Sequence, residues 1–512
     1  MKAEIILNHD YIIGEPDGML FGSFVEHIGR SVYTGIYEPD HYSADEYGFR
    51  GDVAQLVRGL GISGIRYPGG NFVSGYNWEN GVGPRVTRPK TIDVAWNCIE
   101  PNLVGTDDFV GYCRRIGAEP IMAVNLGTAG MKEAAELLEY CNVRGGTAYS
   151  DRRIKNGYRE PHGIKYWCLG NEMDAQWQIG HKTGGEYARL AVETAKLMKK
   201  IDPDISLIAC GSSGDDLRTF PEWEAQVLAE CYERVDYISL HHYFSNADGD
   251  TATFLASGIA ADSHIEQVIS VCDYIKSRRR SKKTMMLAFD EYNVWYHDRD
   301  KKKGNLQIAP PLCEDHYNIT DAVCLGGVLI SLLRHCDRVK IACLAQLVNV
   351  IAPIITVPGG MAYRQTIYYP FEAVSRFGRG AVLDIRIKSD LCDGGKYGAI
   401  PAVDSVSVLN GDGDTVVFAV NRDTGNPVSL CIALQGIDAS VISHTALYGE
   451  NREAINSSEN PDRVLPVPVG GCRIDGRYFR YVVDVSLSDP LPERGVVALV
   501  RSDGALHRVD AS

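Results

Sequence analysis

Two stretches of the chain end an apolar run on a carboxylate: Lys165-Tyr-Trp-Cys-Leu-Gly-Asn171-Glu172 and Thr284-Met-Met-Leu-Ala-Phe-Asp290-Glu291-Tyr292-Asn293. An apolar body with a polar tip is the pattern of a buried strand whose C-terminal end is free to carry chemistry. Two such acids facing one substrate can cleave a glycosidic bond, one protonated to assist the departing oxygen and one ionised to attack. Glu172 is read as the acid/base and Glu291 as the nucleophile. Repulsion from an ionised Glu291 keeps the proton on Glu172; once Glu291 is glycosylated that repulsion falls, and Glu172 can act as a base toward water. Asn171 is placed to donate to a sugar hydroxyl next to the reacting carbon. Retaining chemistry would require the two carboxyl groups roughly 5–5.5 Å apart.

A lone glutamate at a strand end is more commonly a solvated or salt-bridged group, so the pair has to be weighed against its surroundings. His241-His242 raises a metal site, but the spacing matches no zinc motif. Asp290-Glu291 as magnesium ligands lack an accompanying phosphate-cradling Gly-rich loop. Neither a metal nor an organic cofactor is expected. Gly69-Gly70 is read as a sharp backbone turn. Trp78, Trp96 and Trp177 lie between apolar runs, either lining a sugar pocket or simply packing, and Lys301-Lys-Lys303 reads as a solvated loop.

The elements that must position these acids are legible as a series of short apolar runs: Phe21–Val25, Ser63–Tyr67, Pro120–Val124, Ile164–Leu169, Leu207–Cys210, Tyr237–Leu240, Met285–Phe289 and Val339–Leu344. Helical periodicity separates most of them. Over Glu186–Lys200, Tyr187, Leu190, Ala191, Thr194, Leu197 and Met198 form one stripe, and Asp202-Pro203 ends it. Asp107-Asp108 opens another helix toward Gly117, with the acids where the helix dipole favours them. Strand, crossover helix, strand is the grammar of a parallel sheet, and eight such strands predict a closed (β/α)8 TIM barrel over residues 15–382. Polar residues gather after the runs, as Glu26-His27, Gly69-Gly70-Asn71, Asn125, Asn171-Glu172, Gly211-Ser212-Ser213, His241-His242-Tyr243, Asp290-Glu291 and Gln346 with Asn349. In a barrel these all open onto the C-terminal face, where active sites are built.

Past residue 383 the pattern changes to short strands without helices, at Val403–Leu409, Val416–Val420, Val428–Leu434, Val441–Leu447, Tyr478–Leu487 and Val496–Val500. This predicts a C-terminal antiparallel β-sandwich over 383–512, with the strands of residues 1–14 joining it. Fifty-two Lys and Arg against 66 Asp and Glu give a net charge of -14, which argues against a nucleic-acid partner and is indifferent to a neutral sugar. The first ten residues show no apolar leader, and no stretch supplies 18 uncharged apolar residues, so neither secretion nor a membrane is expected. Fourteen cysteines sit within apolar runs without C-x2-C spacing, as reduced core thiols of a cytoplasmic protein do.

The motifs Arg66-Tyr-Pro-Gly-Gly-Asn71-Phe-Val-Ser-Gly-Tyr76, Trp167-Cys-Leu-Gly-Asn171-Glu172, Phe289-Asp-Glu291-Tyr-Asn293 and Asp337-Arg-Val-Lys-Ile-Ala-Cys-Leu-Ala-Gln346-Leu-Val-Asn349 closely resemble those of the family 51 glycoside hydrolases, chiefly α-L-arabinofuranosidases. The resemblance covers nearly the whole chain, including Arg364-Gln-Thr366. It implies a barrel with acid/base and nucleophile at the ends of strands four and seven, a C-terminal sandwich, and a retaining double displacement. Matched one at a time, it also implies sugar-binding roles for Glu26, Asn71, Asn171, Tyr243 and Gln346, a support to the nucleophile from Arg66, a pocket wall at Phe24 and an aromatic edge at Trp96. Arabinose-containing oligosaccharides are the substrate expected from it, and a homohexamer the assembly. A departure lies at Thr356-Val-Pro-Gly-Gly-Met-Ala-Tyr363-Arg364, where Tyr363 replaces the usual Trp as an aromatic platform on the leaving-group side. The leading expectation is therefore release of terminal non-reducing α-L-arabinofuranosyl residues. The alternatives are a β-glycanase or β-xylosidase on the same scaffold and a non-catalytic sugar-binding protein, the last disfavoured because both acids are present.

Overall fold

The computed structural model describes residues 1–297, 305–435, 440–449, 451–469, 473–475, 478–483 and 495–501. The lysine run at 301–303 lies outside the described residues, as do the last residues of the strand expected at 478–487. Eight parallel strands close a barrel: β1 (Gly22–Phe24), β2 (Gly64–Tyr67), β3 (Glu119–Ala123), β4 (Tyr166–Leu169), β5 (Ser206–Ala209), β6 (Tyr237–Phe244), β7 (Met286–Val294) and β8 (Val339–Ala345). Closure is made by β8 against β1, with Ala345 opposite Phe24. Each strand falls on one of the apolar runs, because a barrel strand is covered by side chains inside and by helices outside and can tolerate few polar residues along its body.

The strands differ from the expected runs mainly in length. β6 continues past Leu240 to Phe244 and β7 past Phe289 to Val294, so His241, Tyr243 and Glu291 are paired strand residues and Asp290 sits at a register shift within β7, rather than in loops. His241 lies in register with Glu291 and Tyr243 with Asn293. Charged and hydroxyl groups here satisfy one another inside the barrel, so polarity in the sequence does not end the strand.

The crossover helices anchor the strand ends. Helix Gly184–Ile201 starts on a reciprocal cap between Thr183 and Glu186 and buries Tyr187, Ala191, Thr194 and Met198, while Leu190 and Leu197 are only half-buried. The Tyr187 hydroxyl donates to Leu169 O at 2.7 Å, fixing the end of β4 just before Asn171. Helix Thr106–Ile116 stops at Gly117 in the left-handed region, φ 79°. Its two acids do more than complement the dipole: Asp108 pairs with Arg85 and Arg88, and Asp107 accepts from Tyr140 and contacts His162.

Two further sheets stack strands from the C-terminal third with the N-terminus. Lys2–Leu7 runs antiparallel to Arg386–Ser389 and parallel to Val428–Leu434, which pairs in turn with Tyr478–Val483. Ile12–Gly14 pairs with Ala381–Leu383, at the edge of a sheet that continues through Val403–Leu409, Asp414–Asn421, Gly495–Arg501 and Ser440–Leu447. Each sheet thus takes one N-terminal strand. Of the thirteen described cysteines twelve are buried and one is half-buried, and none is disulfide-linked. Among the described residues no helix is long and apolar enough to cross a membrane.

Candidate active site

The end of β4 turns sharply to present Glu172. Gly170 has φ 92° and Glu172 itself φ 46°, a left-handed backbone that costs a side-chain-bearing residue about 1–3 kcal/mol and is found where surrounding contacts impose it. Here the contacts are on both oxygens of the carboxyl: Trp177 Nε1 donates to Oε2 at 2.8 Å, and His241 Nδ1 lies 3.1 Å from Oε1. The indole of Trp177 is otherwise largely exposed, at 58%.

Glu291 is held from two directions. Arg66 Nη1 donates to Oε1 at 2.6 Å and the Tyr243 hydroxyl to Oε2 at 2.7 Å. The same guanidinium donates through Nη2 to Asn171 Oδ1 at 2.7 Å, places Nε 3.1 Å from Asp290 Oδ2, and lies over the Phe24 ring at 4.9 Å. Arg66 is fully buried, and its planar fork fixes three side chains from β4 and β7 at once. Asn171 spends its oxygen on Arg66, and its amide nitrogen is left buried without a protein acceptor. Such a donor is open to an acceptor on a molecule that enters the hollow.

The two acids face each other. One oxygen of Glu172, one of Glu291 and a ring nitrogen of His241 lie within 4.8 Å of one another. Burial raises the Glu172 carboxyl above its ordinary range and Glu291 adds to the rise, against the hydrogen bonds from His241 and Trp177. Burial alone would lower His241, but Glu291, Asp290 and Glu172 outweigh it and hold the imidazole well above its usual range. Asp290 is pushed up by burial and held below its ordinary value by Arg66 and His241. Burial beside Glu291 and Glu172 keeps the Tyr243 phenol protonated and donating.

A third carboxylate completes the hollow. Glu26, two residues beyond β1, accepts from Phe72 N at 2.8 Å and Trp96 Nε1 at 2.9 Å on one oxygen and from Gln346 Nε2 at 3.3 Å on the other. Burial pushes this carboxyl up to about 8. Gly69 and Gly70 serve a purpose beyond the turn: a Cβ at Gly69 would sit 2.7 Å from Glu26 Cγ and one at Gly70 2.8 Å from its Oε2. Only glycine lets the backbone come this close to the acid. Asn71 begins the short helix Asn71–Gly75 beside it, half-buried.

All ten residues expected at the site therefore belong to this C-terminal end of the barrel, but the expectations for the aromatics divide. Trp96 and Trp177 each donate to a site carboxylate, whereas Trp78 is buried against Tyr140 and Tyr149 and belongs to the core. Among the polar outlets, Asn125, Asn293 and Asn349 are spent on backbone carbonyls of neighbouring loops. His241 is the functional group that the sequence did not single out beyond a metal alternative. Strand alternation points to it, since it shares a face of β6 with Tyr243.

Residues 56–257 match the family description "Alpha-L-arabinofuranosidase 1 domain" and residues 290–485 the description "Alpha-L-arabinofuranosidase C-terminal domain". The chain is 52% identical over 473 residues to an intracellular exo-α-(1→5)-L-arabinofuranosidase of Acetivibrio thermocellus, covering 91% of this chain and 94% of that one. It is 50% identical over 502 residues to the enzyme of the same description from Streptomyces lividans, covering 96% and 76%. A solved family 51 α-L-arabinofuranosidase from Bifidobacterium longum superposes with a TM-score of 0.92 at 40% identity, covering 98% of this chain and 99% of that one. The chain belongs to the family 51 α-L-arabinofuranosidases.

The segment Thr356–Arg364, where the sequence departs from the pattern of this family, lies in the hairpin of Ile354–Thr356 with Ala362–Arg364. Tyr363 is buried there, paired with Ile355. Exposed Trp177 is the aromatic surface that stands next to Glu172. Glu172, His241 and Glu291 also have the donor types of a metal site. Arg66 already places a cation on Glu291, which opposes a second one, and the hydrogen bonds from Tyr243 and Trp177 engage the remaining oxygens.

Proposed function

We propose that this protein is a retaining exo-glycosidase that releases terminal non-reducing α-L-arabinofuranosyl residues from arabino-oligosaccharides. The observation that carries the reading is that an oxygen of Glu172 and one of Glu291 lie within 4.8 Å of each other, which supports the short carboxyl separation of roughly 5–5.5 Å that direct attack by one carboxylate requires. Family membership supports the same reading, and the names of the two relatives support both the exo mode and an intracellular location.

In the first step Glu291, aligned by Arg66 and Tyr243, attacks the anomeric carbon while Glu172 gives its proton to the departing oxygen. The carbon–oxygen bond to the leaving group breaks and a glycosyl ester to Glu291 forms. Esterification removes the negative charge of Glu291 that adds to the effect of burial on Glu172, so its carboxylate can now take a proton from water, which attacks the same carbon and releases the sugar with Glu291 regenerated. Glu26, Asn71, Asn171 and Gln346 bind the hydroxyls of the furanose, Phe24 walls the hollow and Trp96 edges it. A small sugar bound by convergent polar groups on a rigid barrel gains its orientation before reaction.

As part of this proposal the barrel spans 15–382 and the sandwich 383–512 with residues 1–14, and the protein assembles as a homohexamer. A panel of nitrophenyl α-L-arabinofuranoside, nitrophenyl β-D-xyloside and β-glucan tests the specificity, with the anomeric configuration of the first-formed product followed by NMR. Fastest turnover of the arabinofuranoside with retained configuration is expected. Faster turnover of either β-linked substrate favours the β-glycanase or β-xylosidase alternative, and binding without turnover favours a non-catalytic sugar-binding protein.

A further inference from the structure

On the outer side of β6 from the two acids, a second group of side chains has no part in the mechanism. Asp215 comes from the loop after β5, His242 from β6, and His264 from the long helix Ser257–Arg279. One ligand-type atom from each of the three lies within 4.8 Å of the others. His264 is fully buried between the rings of Phe220 and Phe289, and neither of its ring nitrogens has a hydrogen-bond partner. A neutral imidazole always carries one lone pair, and burying it without a donor is unfavourable. His242 Nδ1 approaches Asp215 Oδ1 to 3.2 Å. Two ligands of one ion stand side by side in this way: with metal–ligand bonds of about 2.0–2.1 Å, tetrahedral neighbours are about 3.3–3.4 Å apart.

We propose that Asp215, His242 and His264 form a binding site for a divalent transition-metal ion of the zinc class. Two imidazoles and one carboxylate suit zinc and its neighbours and disfavour magnesium or calcium, which take oxygen ligands. A fourth position is left for water. The three residues come from a loop, a strand and a helix, so the ion ties the outlet of β5 and the helix Ser257–Arg279 to β6, next to the residue that bridges Glu172 and Glu291. The site is structural, since no substrate-facing group is among its ligands, and it departs from the sequence expectation of no metal.

The test is zinc uptake by the full-length protein after treatment with a chelator, measured by equilibrium dialysis against micromolar zinc and elemental analysis. Binding of one zinc per chain is expected, with cobalt substitution giving the visible bands of a tetrahedral nitrogen and oxygen site. Asp215→Ala, in a half-buried loop, and His264→Phe are each expected to weaken uptake at least tenfold and to remove the zinc-dependent rise in melting temperature. Glu291→Gln is expected to leave uptake intact, which separates this site from the Glu172, His241 and Glu291 group. Absence of stoichiometric zinc, thiolate bands in the cobalt spectrum, or uptake that survives Asp215→Ala but is lost in Glu291→Gln would each overturn the proposal.

Discussion

His241 Nδ1 stands 3.1 Å from Oε1 of Glu172 and 3.7 Å from Oε2 of Glu291, while Nε2 stands 3.3 Å from Oδ1 of Asp290, so one imidazole reaches the acid beyond β4 and both acids of β7. Its hydrogen bond and positive charge both lower Glu172, working against burial. Replacing His241 with Gln therefore lets the Glu172 carboxyl rise further. Activity that requires protonated Glu172 should then persist to higher pH, while kcat falls by about 10–100-fold from lost alignment. A pH profile of kcat checks this: the alkaline limb of His241→Gln moves upward, and a downward move contradicts the assignment.

Glu172 and Glu291 should separate by leaving group. Glu172→Ala is expected to lose about 100-fold or more on a substrate with a poor leaving group, much less on a good aryl one, and to be partly rescued by azide, which replaces the water that needs a base. Equal loss on both substrates with no rescue removes Glu172 from the acid/base role.

Arg66 is a buried cation shared among Glu291, Asp290 and Asn171, and removing one partner of a buried network strands the others. Arg66→Met should destabilise the fold by about 3–5 kcal/mol. Arg66→Lys keeps the charge but not the fork, so its melting temperature should drop less while kcat still falls. Thermal melts and kinetics on the two variants check the split.

The barrel was readable because its strands are short apolar runs with little choice of environment, and the eight runs coincide with eight strands. The acids were readable because they end or interrupt such runs. What could not be read was which polar outlets face the hollow: Asn125, Asn293 and Asn349 look like Asn171 in sequence but are consumed by loop carbonyls. The same holds for Gly69 and Gly70, whose bareness is demanded by Glu26, a residue distant in sequence. Trp78 and Trp177 also look alike as isolated aromatics, and only packing sends one into the core.

Glu26 predicts a pH dependence of stability. Its carboxyl is raised from an ordinary 4.5 to about 8 by burial. Between those values the folded chain holds a proton that the unfolded chain releases, so the contribution of Glu26 to stability declines as pH rises from about 4.5 toward 8. Glu26→Gln should remove this decline, so wild type loses more stability than the variant between pH 5.5 and pH 8 in denaturant titrations. A steeper loss in Glu26→Gln contradicts the assignment.

The most direct test of a covalent step on Glu291 is mass spectrometry of Glu172→Ala quenched in acid during turnover of an activated aryl α-L-arabinofuranoside. Deglycosylation is slow in this variant, so the protein should gain the mass of one pentosyl group, and peptide mapping should place it on Glu291. No adduct under conditions where the aryl group is released in a burst, or an adduct on any other residue, would contradict the account.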